Sequence, residues 1–272
     1  MKILQLSDIH YGADYDGKFN TAKQFQAVLD HVGYNNPSGF DAVILTGDLV
    51  NKDSGMSESE QLHTYNYILR KASDLCNAGT EGVFVVPGNH DNRKPLSDAA
   101  RDVLGWYNDS SFSEGFMVPG SYLKVVQMGG KDIILLDSGN AAPYKGLAKL
   151  GTYCVNQIDE WNVRDTMLFT HEPFQTERLY HRFMKGNLMP YDVGELLSPY
   201  IRHYFCGHFH HLAHVECDSF DMHLCPGIQC QIDPYSKECN AVAIPGYQVI
   251  EFSTVSNSDV EVHPVILDDY EA

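Results

Sequence analysis

Apolar residues in the first part of the chain follow two alternating periods. Ile3–Leu6, Ala42–Leu45 and Val83–Val86 are short continuous apolar runs, the pattern of strands buried on both faces. Between the first two, Phe19, Ala22, Phe25, Val28, Leu29 and Val32 recur at helical spacing. Before the third, Leu62, Tyr65, Ile68, Leu69, Ala72 and Leu75 do the same. Ser57 and Glu60 form a capping-box pattern ahead of that second helix, and Gly79 is placed to end it. Pro95–Tyr107 reads as a further helix. This βαβαβ order predicts a mainly parallel sheet, because parallel neighbours need a crossover between them.

The second half is richer in strands. Tyr122–Gln127 and Lys131–Leu136 flank Gly129-Gly130, a hairpin turn pair. Thr166–Phe169, Ile201–Phe205, Met222–Leu224 and Tyr247–Phe252 are further strand candidates, with a helix expected around Val155–Trp161. No repeat, low-complexity stretch or linker divides the chain. The simplest arrangement is a single domain over residues 1–272, with two sheets packed face to face and helices outside.

Composition narrows the class. Hydrophobic residues make up 43% and charged residues 20%, ordinary for a globular chain. The longest apolar runs are too short to cross a bilayer. The N-terminus lacks an apolar h-region and cleavage site, so a cytoplasmic location is expected. The net charge of −17 would repel a nucleic-acid backbone, so no nucleic-acid partner is expected. The seven cysteines include no CxxC pair and read as reduced thiols. The sequence leaves the oligomeric state open, a homodimer included.

Five short polar segments stand out, most directly after a strand-like run: Asp8-Ile9-His10, Gly47-Asp48, Gly88-Asn89-His90-Asp91, His171 and Gly207-His208-Phe209-His210. In open α/β sheets, ligands bind beyond the carboxyl ends of the strands, so these loops are expected to converge. Asp8 and His10 are two apart, as are His208 and His210, which in extended backbone turns both side chains to one side. Carboxylate and imidazole together suit Mn, Fe or Zn ions. One carboxylate, Asp48, can serve two ions about 3.5–4 Å apart, the spacing of two-metal hydrolytic sites. Taken singly each segment has an ordinary structural explanation; the five in this order point to a metal centre.

The series DxH, GD, GNHD, an isolated His and GHxH resembles the calcineurin-like metallophosphoesterases over residues from about 2 to 252. The resemblance implies a four-layer αββα sandwich with two mixed sheets and a binuclear metal site holding divalent or trivalent ions (Mn2+, Fe2+/Fe3+ or Zn2+). It implies that Asp8, His10, Asp48 and His210 hold one metal, and Asp48, Asn89, His171 and His208 the other. His90 would act on the substrate phosphate as proton donor or transition-state stabiliser, with Asp91 as its orienting partner. Hydroxide generated between the ions would attack phosphorus. Phosphoprotein phosphatases carry GDxVDRG and GNHE, whereas here the segment is Gly47-Asp48-Leu49-Val50-Asn51-Lys52 and the motif arginine is missing.

Leu6-Ser7-Asp8-Ile9-His10, Pro87–Arg93, Leu136-Asp137-Ser138, Cys206–His210 and Pro245-Gly246-Tyr247 most resemble class III cyclic-nucleotide phosphodiesterases. That resemblance implies a small anionic phosphodiester as substrate, a 3′,5′-cyclic nucleotide first, with Asn92 and Arg93 contacting it. Phosphomonoesters, other nucleotides and nucleic acid remain the alternative. Two departures stand near the expected site: Gly227-Ile228 replaces Ser-Thr in the Pro-Ser-Thr-Cys-x-Gln segment, and Glu172 stands where a second His often follows the ligand.

Overall fold

A computed structural model of the chain describes residues 1–13, 19–77, 82–105, 123–139, 166–174, 200–233, 240–254 and 259–269. The first three strands are β1 (Lys2–Leu6), β2 (Ala42–Leu45) and β3 (Gly82–Val85). They pair in parallel, with Ile3 opposite Ala42 and Val43 opposite Val83. The crossovers are α1 (Thr21–Asn35) and α2 (Glu58–Asp74). Asn20 caps α1 by accepting from Lys23 N, and Ser57 and Glu60 form the anticipated capping box on α2. Helix α2 ends at Asp74, before Gly79, which lies outside the described residues. Helix α3 covers Arg93–Leu104, two residues earlier at its start than the apolar pattern suggests. Gly105, at φ 68°, stops it in the left-handed conformation that glycine adopts without steric cost. Tyr107 lies outside the described residues.

The first sheet is completed by two antiparallel strands, β12 (Gly246–Phe252) and β13 (Val260–Ile266), in the order β13-β12-β1-β2-β3. The second sheet has the order β4-β5-β6-β7-β9-β8. Its strands are β4 (Leu123–Met128), β5 (Lys131–Leu136), β6 (Thr166–Phe169), β7 (His203–Cys206), β8 (Ala213–Glu216) and β9 (Asp221–Leu224). β4 and β5 form the expected hairpin, with Gly129 and Gly130 at φ 54° and 78°, the two positive angles a type I′ turn needs. A two-stranded ribbon, β10 (Gln231–Ile232) and β11 (Ala241–Val242), stands apart.

Burial shows why the sheets meet. Ile3, Leu4, Val43 and Ile250 of the first sheet share one buried cluster with Ile133, Leu135, Phe169 and Phe205 of the second. The opposite face of the second sheet, with Ile134, Leu168, Tyr204 and Met222, belongs to a separate buried cluster. The chain thus has two mixed sheets face to face, with α1, α2 and α3 contributing to the core. The helix anticipated at residues 155–161 lies outside the described residues. Among the described residues, no helix is long and apolar enough to cross a membrane.

Candidate metal centre

Each sequence motif follows the carboxyl end of a strand: Asp8 and His10 after β1, Asp48 after β2, Asn89 and His90 after β3, His171 after β6, His208 and His210 after β7. Backbone hydrogen bonds tie the loops together. Asp8 N donates to Gly47 O at 3.0 Å, His10 N to Asp48 O at 2.8 Å, and Gly207 N to His171 O at 3.0 Å.

The loops are not extended at these residues, which corrects the expectation that extended backbone turns Asp8 with His10, and His208 with His210, to one side. Asp8, His10, Asp48, His208 and His210 lie at φ between 46° and 72°, and among the described residues they are the only non-glycines at positive φ. Left-handed backbone costs roughly 1–2 kcal/mol at a residue with a Cβ. All five occupy proposed ligand positions, a pattern of strain concentrated at a functional site. Two glycines make room for it. A Cβ on Gly88 would stand 2.2 Å from Asp48 Oδ1, and one on Gly207 2.6 Å from Asp8 Oδ2.

Two groups of side chains result. His210 Nε2 stands 3.4 Å from Asp8 Oδ1 and 3.1 Å from His10 Nε2. His171 Nε2 stands 3.2 Å from Asp48 Oδ2 and 3.1 Å from both Asn89 Oδ1 and His208 Nδ1. Asp48 Oδ2 lies also 3.4 Å from His10 Nε2, and so faces both groups. An ion with bonds of about 2.0–2.2 Å to N and O leaves adjacent ligand atoms about 2.8–3.6 Å apart. The separations of 3.1–3.4 Å fit that requirement. Asp8–His10–His210 and Asp48–His171–His208 each bring three ligand atoms within 4.8 Å of one another.

Ligation needs neutral imidazoles and ionised carboxylates, and His10, His208 and Asp48 meet that requirement. Burial holds His10 well below its ordinary value and His208 down at about 3. Burial opposes ionisation of Asp48, yet the charge and hydrogen bond of His171, with His10 beside it, outweigh it and hold the carboxyl low. Burial likewise opposes a proton on His171, but Asp48 and Asp8 outweigh it and hold that pKa high. His171 Nδ1 lies 2.8 Å from Thr46 O, an outer partner of the kind that fixes a ligand histidine's tautomer.

His90 lies beside the two groups. Its N–H donates to Asp48 Oδ1 at 2.7 Å, and its ring meets His10 edge-on at 4.7 Å. Its orienting partner is not Asp91. Asp91 turns beneath the loops, where Leu49 N, Val50 N and Tyr65 OH donate to Oδ1 and Gly88 N to Oδ2. Asn51 takes that place, with Oδ1 3.1 Å from His90 Nδ1. Asn51 stood in view three residues after Asp48, but only the turn at Lys52–Ser54, where Asp53 N donates to its Oδ1, aims it at His90.

The other two residues expected near the substrate differ in placement. Arg93 pairs with Asp137 through Nε at 3.0 Å and an Nη at 2.8 Å, so those donors are committed within the protein. The three other N–H donors of the guanidinium lie outside that pair. Asn92 precedes α3 and makes no side-chain capping bond. Glu172 is buried and hydrogen-bonded to Ser138 through one carboxylate oxygen, and among the described residues its Oε1 has no hydrogen-bond partner.

Two mixed sheets with a strained cluster of carboxylate, amide and imidazole groups at their carboxyl ends define a metal-dependent phosphoester hydrolase. The chain belongs to the calcineurin-like phosphoesterase family, whose model matches residues 1–212. Comparison with curated protein sequences gives no match. Among solved structures, a candidate 5′-nucleotidase from Staphylococcus aureus is 14% identical, with TM-score 0.61, covering 99% of this chain and 55% of its own. A dimetal phosphatase from Danio rerio is 11% identical, with TM-score 0.53 and 98% of both chains covered. A purple acid phosphatase from yellow lupin is 11% identical, with TM-score 0.62, covering 97% of this chain and 51% of its own. The chain thus spans about half the length of the first and third, and the likeness to all three is one of fold.

Proposed function

We propose that the chain hydrolyses a small phosphodiester, with a 3′,5′-cyclic nucleotide as leading substrate, at a centre holding two metal ions. Asp8, His10, Asp48 and His210 would hold one ion, and Asp48, Asn89, His171 and His208 the other. The observation that carries this reading is the position of Asp48 Oδ2, 3.4 Å from His10 Nε2 and 3.2 Å from His171 Nε2. Two ions bound there would lower the pKa of water and neutralise phosphate charge.

The remaining chemistry falls to the chain's own groups. Asn51 Oδ1 accepts the Nδ1–H of His90, which leaves Nε2 as the working end of the ring. Protonated at both nitrogens, His90 gives the Nε2 proton to the departing alkoxide oxygen and keeps Nδ1–H on Asn51. The backbone bond from His90 to Asp48 keeps that proton beside the reacting phosphate. The choice of a diester rests on charge. A diester carries one negative charge at phosphorus, a monoester up to two, and Arg93 has two donors spent on Asp137.

A screen of Mn-loaded protein against cyclic nucleotides, an aryl phosphodiester, nucleoside monophosphates and single-stranded DNA tests the proposal. Cyclic nucleotide should turn over fastest, and Asn92→Ala should raise its KM more than that of the aryl diester. Activity confined to phosphomonoesters or DNA would overturn the substrate while leaving the two-metal centre standing.

A further inference from the structure

The segment from Pro226 to Gln231 follows β9 and wraps one half of the centre. Ile228 N donates to Ser7 O at 3.1 Å and Gln229 N to Asp8 O at 2.9 Å, so it is stitched to the loop after β1. Ile232 N donates to His210 O at 2.7 Å, so it is stitched to the loop after β7 as well. Cys230 lies between these anchors, 3% exposed, with Sγ 3.3 Å from His210 Nδ1. The approach depends on Gly227, where a Cβ would stand 3.0 Å from His210 Nδ1 and 2.9 Å from Cys230 O. The serine that the related segment carries at this point would push against the ring.

A neutral imidazole has one N–H and one lone pair. His210 turns Nε2 toward Asp8 and His10, so a lone pair for an ion belongs on Nε2 and the hydrogen on Nδ1. That hydrogen needs an acceptor, because a buried donor without one is costly. In His171 the corresponding acceptor is the Thr46 carbonyl oxygen. At His210 it is a sulfur.

We propose that Cys230 is a positioning residue: its sulfur accepts the Nδ1–H of His210 and thereby aims Nε2 at the ion position shared with Asp8 and His10. The inference rests on the reading that this cluster holds an ion. Sulfur is a weaker acceptor than a carbonyl oxygen, so the ion on the His210 side is held by a softer outer support than the ion on the His171 side. Outer partners of ligand histidines typically account for about 10–100-fold in metal affinity.

The test is calorimetric titration of metal-free protein with Mn2+, with the visible absorption of the Co2+-loaded protein as a second readout. Wild type should take up two ions. Cys230→Ala should weaken one by about 10–100-fold, leave the other unchanged and alter part of the Co2+ spectrum. Cys230→Ser, which restores an acceptor oxygen, should recover much of that loss. Wild-type affinities and spectrum in Cys230→Ala overturn the inference, and so does a Cys230→Ser no better than Cys230→Ala. Equal weakening of both ions, with a lower unfolding temperature of the metal-free variant, marks general damage and overturns it too. Fewer than two ions in wild type would bring down the binuclear reading itself, an outcome separate from any difference among the variants.

Discussion

Asp91→Asn separates two roles for a residue that the motif alone would pair with His90. Asp91 is 5% exposed, and its carboxylate accepts Gly88 N at 2.9 Å, Leu49 N at 2.9 Å, Val50 N at 3.3 Å and Tyr65 OH at 3.0 Å. These donors come from the loops after β2 and β3 and from α2, so the residue clamps the strained Asp48 turn to its neighbours. An asparagine keeps one acceptor oxygen. With that oxygen toward Leu49, Val50 and Tyr65, its amide meets Gly88 N–H, donor against donor. A hydrogen bond to a charged group contributes about 1.5–3 kcal/mol, and an unsatisfied buried donor costs about 1–3 kcal/mol. Part of this is given back. Burial and the nearby Asp48 charge push the Asp91 carboxyl above its usual range, so losing the charge relieves a cost. The net expectation is a loss of about 2 kcal/mol, and at about 2–4 °C per kcal/mol for a chain of this size a fall in Tm of about 4–8 °C. Thermal unfolding in chelator measures it without the added stabilisation of bound metal. Turnover per bound metal pair should fall less than tenfold. Wild-type Tm combined with a hundredfold loss of turnover would refute the clamp and restore Asp91 as the partner of His90.

Three further outcomes follow from the same geometry. His90→Ala should lose about 10²–10⁴-fold in turnover while retaining both ions by elemental analysis, since general acid catalysis contributes on that scale; loss of metal with an unchanged rate per metal would refute it. Gly88→Ala would place a methyl 2.2 Å from Asp48 Oδ1, so a loss of at least about 1–3 kcal/mol by urea unfolding is expected, with weaker uptake of metal. Burial lowers His203 to about 4 and His223 to about 3 against 6.5 for an ordinary histidine; the unfolded chain therefore binds more protons between those values, and stability in chelator should fall as pH drops from 6.5 toward 4. The double variant His203→Gln and His223→Gln should flatten that slope, and an unchanged slope would assign the acid sensitivity elsewhere.

What could be read from the sequence was local. The apolar runs of β1, β2 and β3 and the capping box at Ser57 depend on neighbours within a few residues, and they stand where the pattern puts them. Among the described residues four strands escaped, and two of them, β10 and β11, are only two residues long. β8 is the edge strand Ala213–Glu216, with only Val215 buried, so little apolar periodicity marks it. β13 carries Pro264 opposite Gln248, and a proline argues against a strand except at an edge, where β13 lies. At the site the residue types were legible because ligand chemistry restricts them to Asp, Asn and His. Partnerships across the chain were not. The pairing of Arg93 with Asp137 joins α3 to the loop after β5, and no spacing rule reports such a contact.

The left-handed backbone at five proposed ligand positions links fold to site more tightly than the motif spacing does. Such conformations persist only where the surroundings over-determine them, and here the surroundings are specific. The loops after β1 and β2 are zipped by Asp8 N to Gly47 O and His10 N to Asp48 O, His208 N donates to both Asp8 carboxylate oxygens, and Asp91 anchors the loop carrying Asp48. Each bond joins segments far apart in sequence, so no single loop could hold its ligands in place alone. The double-sheet core, with Ile3, Val43, Ile133 and Phe169 all fully buried, brings the strand ends close enough for those bonds to form. With the loops so held, the atoms of Asp8, His10 and His210 lie within 4.8 Å of one another, as do those of Asp48, His171 and His208.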